Sequence, residues 1–135
     1  MVLPLQTSII YGPIKSRRLG NSLGINLLST EKKICTFNCV YCQYSWTKIH
    51  SLKIENKVLL PRVPEVLKAV ETALRTIHPK PAYITFSGNG EPTLHPDFTE
   101  IVDGVIQLRN RFAPCSNTAI LTNSTQAIHG NIRKA

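Results

Sequence analysis

Helical and extended hydrophobic periods alternate along the second half of this chain, and that alternation restricts its fold more than any other feature. In "PEVLKAVETALRTI", Val63, Val66, Leu67, Val70, Ala73, Leu74 and Ile77 recur at helical spacing, which predicts a helix over 63–77 with Pro64 in its first turn. The run "PAYITFS", 81–87, is short, apolar and rich in β-formers, and predicts a buried strand. A second helix is expected from Asp97, where Glu100 completes a capping box and Phe98, Ile101, Val102, Val105 and Ile106 supply an apolar face. "NTAILTN", 117–123, and "GINLLS", 24–29, read as two more buried strands. Strand, helix, strand, helix, strand predicts an α/β fold with a parallel sheet of βα units over 24–135. Residues 1–23, broken by Gly12, Pro13, Gly20 and Asn21, are expected to form an N-terminal hairpin. Residues 45–60 show neither period and read mostly as loop. At 135 residues and 42% hydrophobic content, one domain with one core is expected.

In parallel α/β sheets ligands collect at the carboxyl ends of the strands. Here those ends carry "TEKKICTFNCVYCQ", "GNGEP" and "NST", three chemically unusual segments on one rim. The charge leans the same way. Residues 1–62 hold nine Lys or Arg against Glu31 and Glu55, a net of +7, while residues 63–135 hold seven against six. A positive field around the cysteines favours an anionic partner, RNA among them; a solvated basic surface with no partner is the plain alternative.

Cys35, Cys39 and Cys42 follow the spacing C-x3-C-x2-C. A loop of that length can wrap a compact 4Fe-4S cluster and give a thiolate to each of three irons, whereas such clusters ordinarily take four cysteines. With three, one iron keeps an open position, and by the logic that separates catalytic from structural zinc an open position implies a ligand bound directly to metal. Disulfide pairing would leave an odd cysteine in the loop. Zinc stays open as a second reading, with Cys115 as a fourth thiolate, although Cys115 lies far along the chain and reads more simply as a buried small hydrophobe.

These residues resemble the radical S-adenosylmethionine (SAM) superfamily, whose three-cysteine signature has an aromatic residue directly before the last cysteine, here Tyr41. "SGNGEPTLHP", 87–96, resembles that superfamily's Gly-Gly-Glu-Pro segment, and "YGPIKSRRLGNSLGINLL" with "YCQY" is similar to a branch of iron-sulfur oxidoreductases akin to the wybutosine-type tRNA-modifying enzymes. The resemblance implies the N-terminal portion of a partial TIM-like barrel, a 4Fe-4S cluster on Cys35, Cys39 and Cys42, and SAM bound at the open iron. Reduction of the cluster by a flavodoxin- or ferredoxin-type donor would cleave SAM to methionine and a 5′-deoxyadenosyl radical. Tyr41 would sit near the adenine, and Gly88, Asn89, Gly90 and Glu91 near the methionine ammonium. Family members continue well past this length, so the chain reads as C-terminally truncated, or as one whose sheet a partner chain completes. A non-catalytic iron-sulfur or zinc-binding fragment is the alternative function.

Other candidates are weaker. Arg17 and Arg18 could hold a phosphate or carboxylate, or simply be solvated. Asn123 reads as a turn former, and His95 as the maker of a structural hydrogen bond. No early run suggests a signal peptide, and no stretch approaches the roughly 20 apolar residues of a membrane span, so a cytoplasmic protein is expected.

Overall fold

A computed structural model describes residues 2–54 and 60–135. Strands β1 (Ile10–Ser16) and β2 (Gly20–Ile25) form an antiparallel hairpin, with Tyr11 opposite Gly24 and Ser16 opposite Gly20. Strand β2 then pairs in parallel with β5 (Tyr83–Phe86), and β5 with β6 (Asn117–Ile120), giving the sheet order β1-β2-β5-β6. Helix α1 (Val63–Thr76) connects toward β5, α2 (Phe98–Phe112) connects β5 to β6, and a short α3 (Gly130–Lys134) follows. Two short strands, β3 (Ile34–Cys35) and β4 (Ile49–His50), pair in parallel apart from the main sheet. The architecture is α/β with parallel βα units and an open sheet, as expected.

One face of that sheet is apolar. Leu23, Ile25, Ile84 and Phe86 pack with Val66, Val70 and Leu74 of α1 and with Phe98, Ile101, Val102 and Val105 of α2 in one buried cluster. Each such side chain contributes about 1.5–3 kcal/mol on burial. Phe86 and Phe98 meet edge-to-face at 5.9 Å. The opposite face carries Ser22, Gly24 and Thr85, and the buried Ser22 and Thr85 hydroxyls bond each other at 2.6 Å. Parallel strands are usually apolar on both faces. A polar second face leaves β2 and β5 open toward a ligand-sized space.

Several boundaries differ from expectation for identifiable reasons. The strand expected at 24–29 begins at Gly20 and doubles as the second hairpin strand, so hairpin and parallel sheet share β2. The expected strand at 117–123 is shorter, and β6 is largely exposed because it pairs on one side only. Asp97 precedes α2 but its side chain makes no capping bond; the His95 ring accepts the Asp97 amide instead. The capping box appears at α1, where Glu65 accepts the Arg62 amide at 2.8 Å. Of the expected 45–60 loop, β4 is ordered as a strand, and 55–59 lie outside the described residues.

Candidate functional site

Backbone pairing brings the cysteine segment against the glycine loop. Ile34 donates its amide to the Asn89 carbonyl at 3.1 Å and accepts the Glu91 amide at 3.1 Å, an isolated parallel bridge beside Gly90. Only glycine fits at that crossing: Gly90 has φ +144°, and a Cβ there would lie 1.7 Å from the Ile34 carbonyl oxygen. Gly88, at φ +132°, is similarly close to Asn26, whose side chain caps the end of β2 by accepting the Asn89 and Leu28 amides. Ile34 also packs with Leu28, Leu60 and Leu94 in a small second core that supports the cysteine loop from beneath.

The loop itself is closed at its base. Its two ends pair as β3 and β4, the Asn38 side chain accepts the Thr47 amide, and the Thr47 hydroxyl donates to the Phe37 carbonyl. Between these ties, the Cys42 amide donates to the Cys39 carbonyl at 3.0 Å, bending the segment so that Cys35, Cys39 and Cys42 line one cavity of about 950 Å3. Gly88, Gly90, Glu91 and Asn123 line the same cavity. All three expected segments therefore do share one rim. A smaller apolar cavity of about 250 Å3, flanked by β6 and α3, is lined by none of these residues.

Glu91 holds the third segment in place. Its carboxylate is buried and accepts from the Thr93 hydroxyl at 2.5 Å, the Thr122 hydroxyl at 2.6 Å and the Asn123 amide at 2.7 Å. Asn123 passes the connection on, donating from Nδ2 to Thr36 Oγ1 at 2.7 Å and to Cys35 Sγ at 3.6 Å. More than a turn former, Asn123 is part of the cysteine site. A second sulfur has a stronger partner: the buried Lys33 Nζ lies 3.0 Å from Cys42 Sγ and 2.8 Å from the Ser45 carbonyl. Burial pushes the Cys42 thiol up, but the Lys33 hydrogen bond, the Tyr44 amide and the Lys33 charge outweigh it and bring the thiol below its ordinary value.

Tyr41 lines the cavity and is 84% exposed, and a hydrogen bond to Cys39 raises its pKa. Tyr11 lies flat across Gly24, where a Cβ would meet the ring at 2.2 Å, and reaches Ser87 with its hydroxyl; burial raises its pKa despite that bond. Arg18 borders the cavity and Arg17 is exposed. His95 is structural, its Nε2 meeting the Pro61 carbonyl at 2.9 Å. Cys115, expected to be buried, is exposed in the turn before β6. That turn is at the amino end of a parallel strand, the opposite edge of the sheet from the cysteine loop, so Cys115 cannot supply a fourth thiolate.

The sequence profile of the radical SAM superfamily matches residues 32–129, from the cysteine loop to beyond β6. The chain belongs to the radical SAM superfamily. Among relatives of this radical SAM chain are UPF0026 proteins of Helicobacter pylori, 32% identical over 94% of this chain, Synechocystis sp., 33% over 93%, and Methanocaldococcus jannaschii, 36% over 93%. The chain spans 38%, 43% and 36% of those proteins' lengths. No solved structure matches it.

Radical SAM proteins generally carry a 4Fe-4S cluster, and the donor set here fits one. Three free thiols face one cavity, and Cys35 and Cys42 have side-chain nitrogen donors at sulfur of the kind that tune such clusters. His50, the register partner of Cys35, does not line that cavity. Among the described residues no three His, Cys, Asp or Glu side chains converge as one metal ion requires. A four-iron cube takes its thiolates at separate corners and does not need that convergence. Among the described residues no helix is long and apolar enough to cross a membrane.

Proposed function

We propose that Cys35, Cys39 and Cys42 ligate a 4Fe-4S cluster, that SAM binds beside it in the same cavity, and that the protein to which this sequence belongs is a radical SAM enzyme. When bound and reduced, such a cluster supplies the electron that breaks the sulfonium–ribose bond of SAM, giving methionine and a 5′-deoxyadenosyl radical that abstracts hydrogen from a substrate. The electron comes from a flavodoxin- or ferredoxin-type donor in a reducing cytoplasm, where three free thiols persist. One observation carries this reading: a three-thiol loop, with no fourth thiol in reach, is hydrogen-bonded through Ile34 to the Gly-Asn-Gly-Glu loop at the carboxyl ends of parallel strands.

The chain's own residues bind, orient and shield. Both main-chain groups of Asn89 are engaged, the amide by Asn26 and the carbonyl by Ile34, and the Gly88 carbonyl accepts the Gly90 amide. Gly88, Gly90 and Glu91, which line the cavity, would hold the methionine ammonium. Tyr41, which is exposed, is available to stack on adenine. Ser22, Thr85, Ser87 and Tyr11 give the cavity a hydroxyl-lined wall suited to a polar substrate. The +7 charge of residues 1–62 favours an anionic one such as RNA, and tRNA binding should then weaken steeply with salt.

Anaerobic incubation with iron and sulfide, followed by iron, sulfide and zinc analysis, tests the ligand assignment. Wild-type protein should take up iron and sulfide in equal amounts, and alanine at all three cysteines should abolish uptake. Zinc retained in preference to iron would return the non-catalytic metal site to the front. With cluster present, added dithionite and SAM should release methionine and 5′-deoxyadenosine.

A further inference from the structure

We propose that Asn89 is a positioning residue that fastens residues 2–8 as a strap across the cofactor cavity, and that the strap governs how firmly the cavity retains its cluster. The second half rests on the function proposed above; the first does not.

Residues 2–8 form no helix or strand, and a segment of that kind is ordinarily loose unless something ties it down. Here it is tied at both loops that build the site. The Asn89 side chain engages both main-chain groups of Gln6, as a neighbouring strand would: Oδ1 accepts the Gln6 amide at 2.7 Å and Nδ2 donates to the Gln6 carbonyl at 2.8 Å. The second Nδ2 proton reaches the Ser29 carbonyl at 2.9 Å, so the carboxamide of Asn89, which is 0% exposed, has both protons donated and its oxygen accepting. On the cysteine side the Leu3 amide donates to the carbonyl of Gln43, the residue after Cys42, at 2.7 Å. Gln6 Nε2 adds a bond to the Tyr44 hydroxyl at 3.0 Å.

Leu3 and Gln6 line the cavity together with the three cysteines. The strap is therefore a wall of the site, and it spans from the glycine loop to the cysteine loop. Glycine at 89 would permit the same main-chain bonds to Asn26 and Ile34 but would offer Gln6 nothing. Beyond its tie to the Ser29 carbonyl, holding the strap is what the side chain at this position adds.

Hydrogen exchange of the apo protein reads the first half directly. In Asn89→Ala the Gln6 amide should exchange about tenfold faster or more, as loss of both side-chain bonds to Gln6 implies, while amides of α1 and β5 keep their protection. Gln6→Pro removes the strap's main-chain donor while leaving the Asn89–Ser29 bond in place, and should free the segment too, read at the Leu3 amide because proline has none. It decides the matter if Asn89→Ala exchanges faster everywhere, the sign of global destabilisation. The second half is read by reconstituting each protein anaerobically with iron and sulfide and following iron loss to excess EDTA. Faster iron loss in the variants that free the strap is the expected result. Unchanged exchange in this segment overturns the strap assignment, and freed straps with unchanged iron loss overturn the retention role. Wild-type protein that takes up no iron would overturn the proposed function, while exchange at Gln6 would still decide the strap.

Discussion

Glu91 Oε2 accepts the main-chain amide of Asn123 at 2.7 Å, so the loop after β5 and the loop after β6 are held together by a buried carboxylate. The Asn123 side chain then reaches Cys35, and a single chain of contacts runs from the glycine loop through the third strand's end to the cysteines. A carboxylate with this many donors is a strut as much as a binding group.

Glu91→Gln preserves the shape but turns one oxygen into a donor, which then faces the Asn123 amide or the threonine hydroxyls. Hydrogen bonds to charged groups are worth about 1.5–3 kcal/mol, so a stability loss of about 2 kcal/mol is expected in urea unfolding. An unchanged midpoint and slope would mean that the strut bears no load.

Gly24→Ala should act through Tyr11. The added Cβ meets the Tyr11 ring at 2.2 Å, and overpacking of this kind costs about 1–3 kcal/mol. Replacing Tyr11 by Ala in the Gly24→Ala background should recover part of that loss, because the clash needs both groups. Additive losses in the double mutant would contradict the contact.

Tyr11 also predicts a pH dependence. Burial, the largest cause, raises its pKa above the ordinary tyrosine value, with the Ser87 hydrogen bond acting in the opposite direction. A raised folded-state value means the contribution is fully present below the unfolded-state pKa of about 10 and is lost as pH rises through the folded one. Urea midpoints of wild type should therefore fall more steeply above that pH than those of Tyr11→Phe. Parallel curves would refute the assignment.

Lys33→Met keeps side-chain length and removes the ammonium beside Cys42. In cluster-loaded protein the midpoint potential should move negative, since negative charge on sulfur loses both a donor and a counter-charge. A shift of about 59 mV would correspond to a tenfold change in the reduced-to-oxidised ratio. A potential equal to wild type would show that the lysine serves only to close the loop through Ser45.

Much of this arrangement was readable from residue order. The period of α1, the β-formers of β5 and the cysteine spacing located the main elements and put three unusual loops at one edge. Strand β2 was harder, because Ser22 and Gly24 face the cavity and break the apolar pattern that marks a parallel strand. The edge position of β6 depends on which strands neighbour it, and sequence periodicity does not report that. Lys33 looked like one more basic residue in a charged loop; only the fold turns it toward Cys42. Gln6 and Asn89 are 83 positions apart, and no local pattern marks their pairing. Arg62 gives no sign of an N-cap, whereas Asp97 gives a misleading one because His95 competes for its amide.

The most direct test of the central claim is electron paramagnetic resonance of the anaerobically reconstituted, dithionite-reduced protein, recorded with and without SAM. A reduced 4Fe-4S signal is expected, absent from the triple cysteine-to-alanine variant, with g-values that shift when SAM is added. A cluster signal indifferent to saturating SAM, or no cluster at all, would contradict the claim.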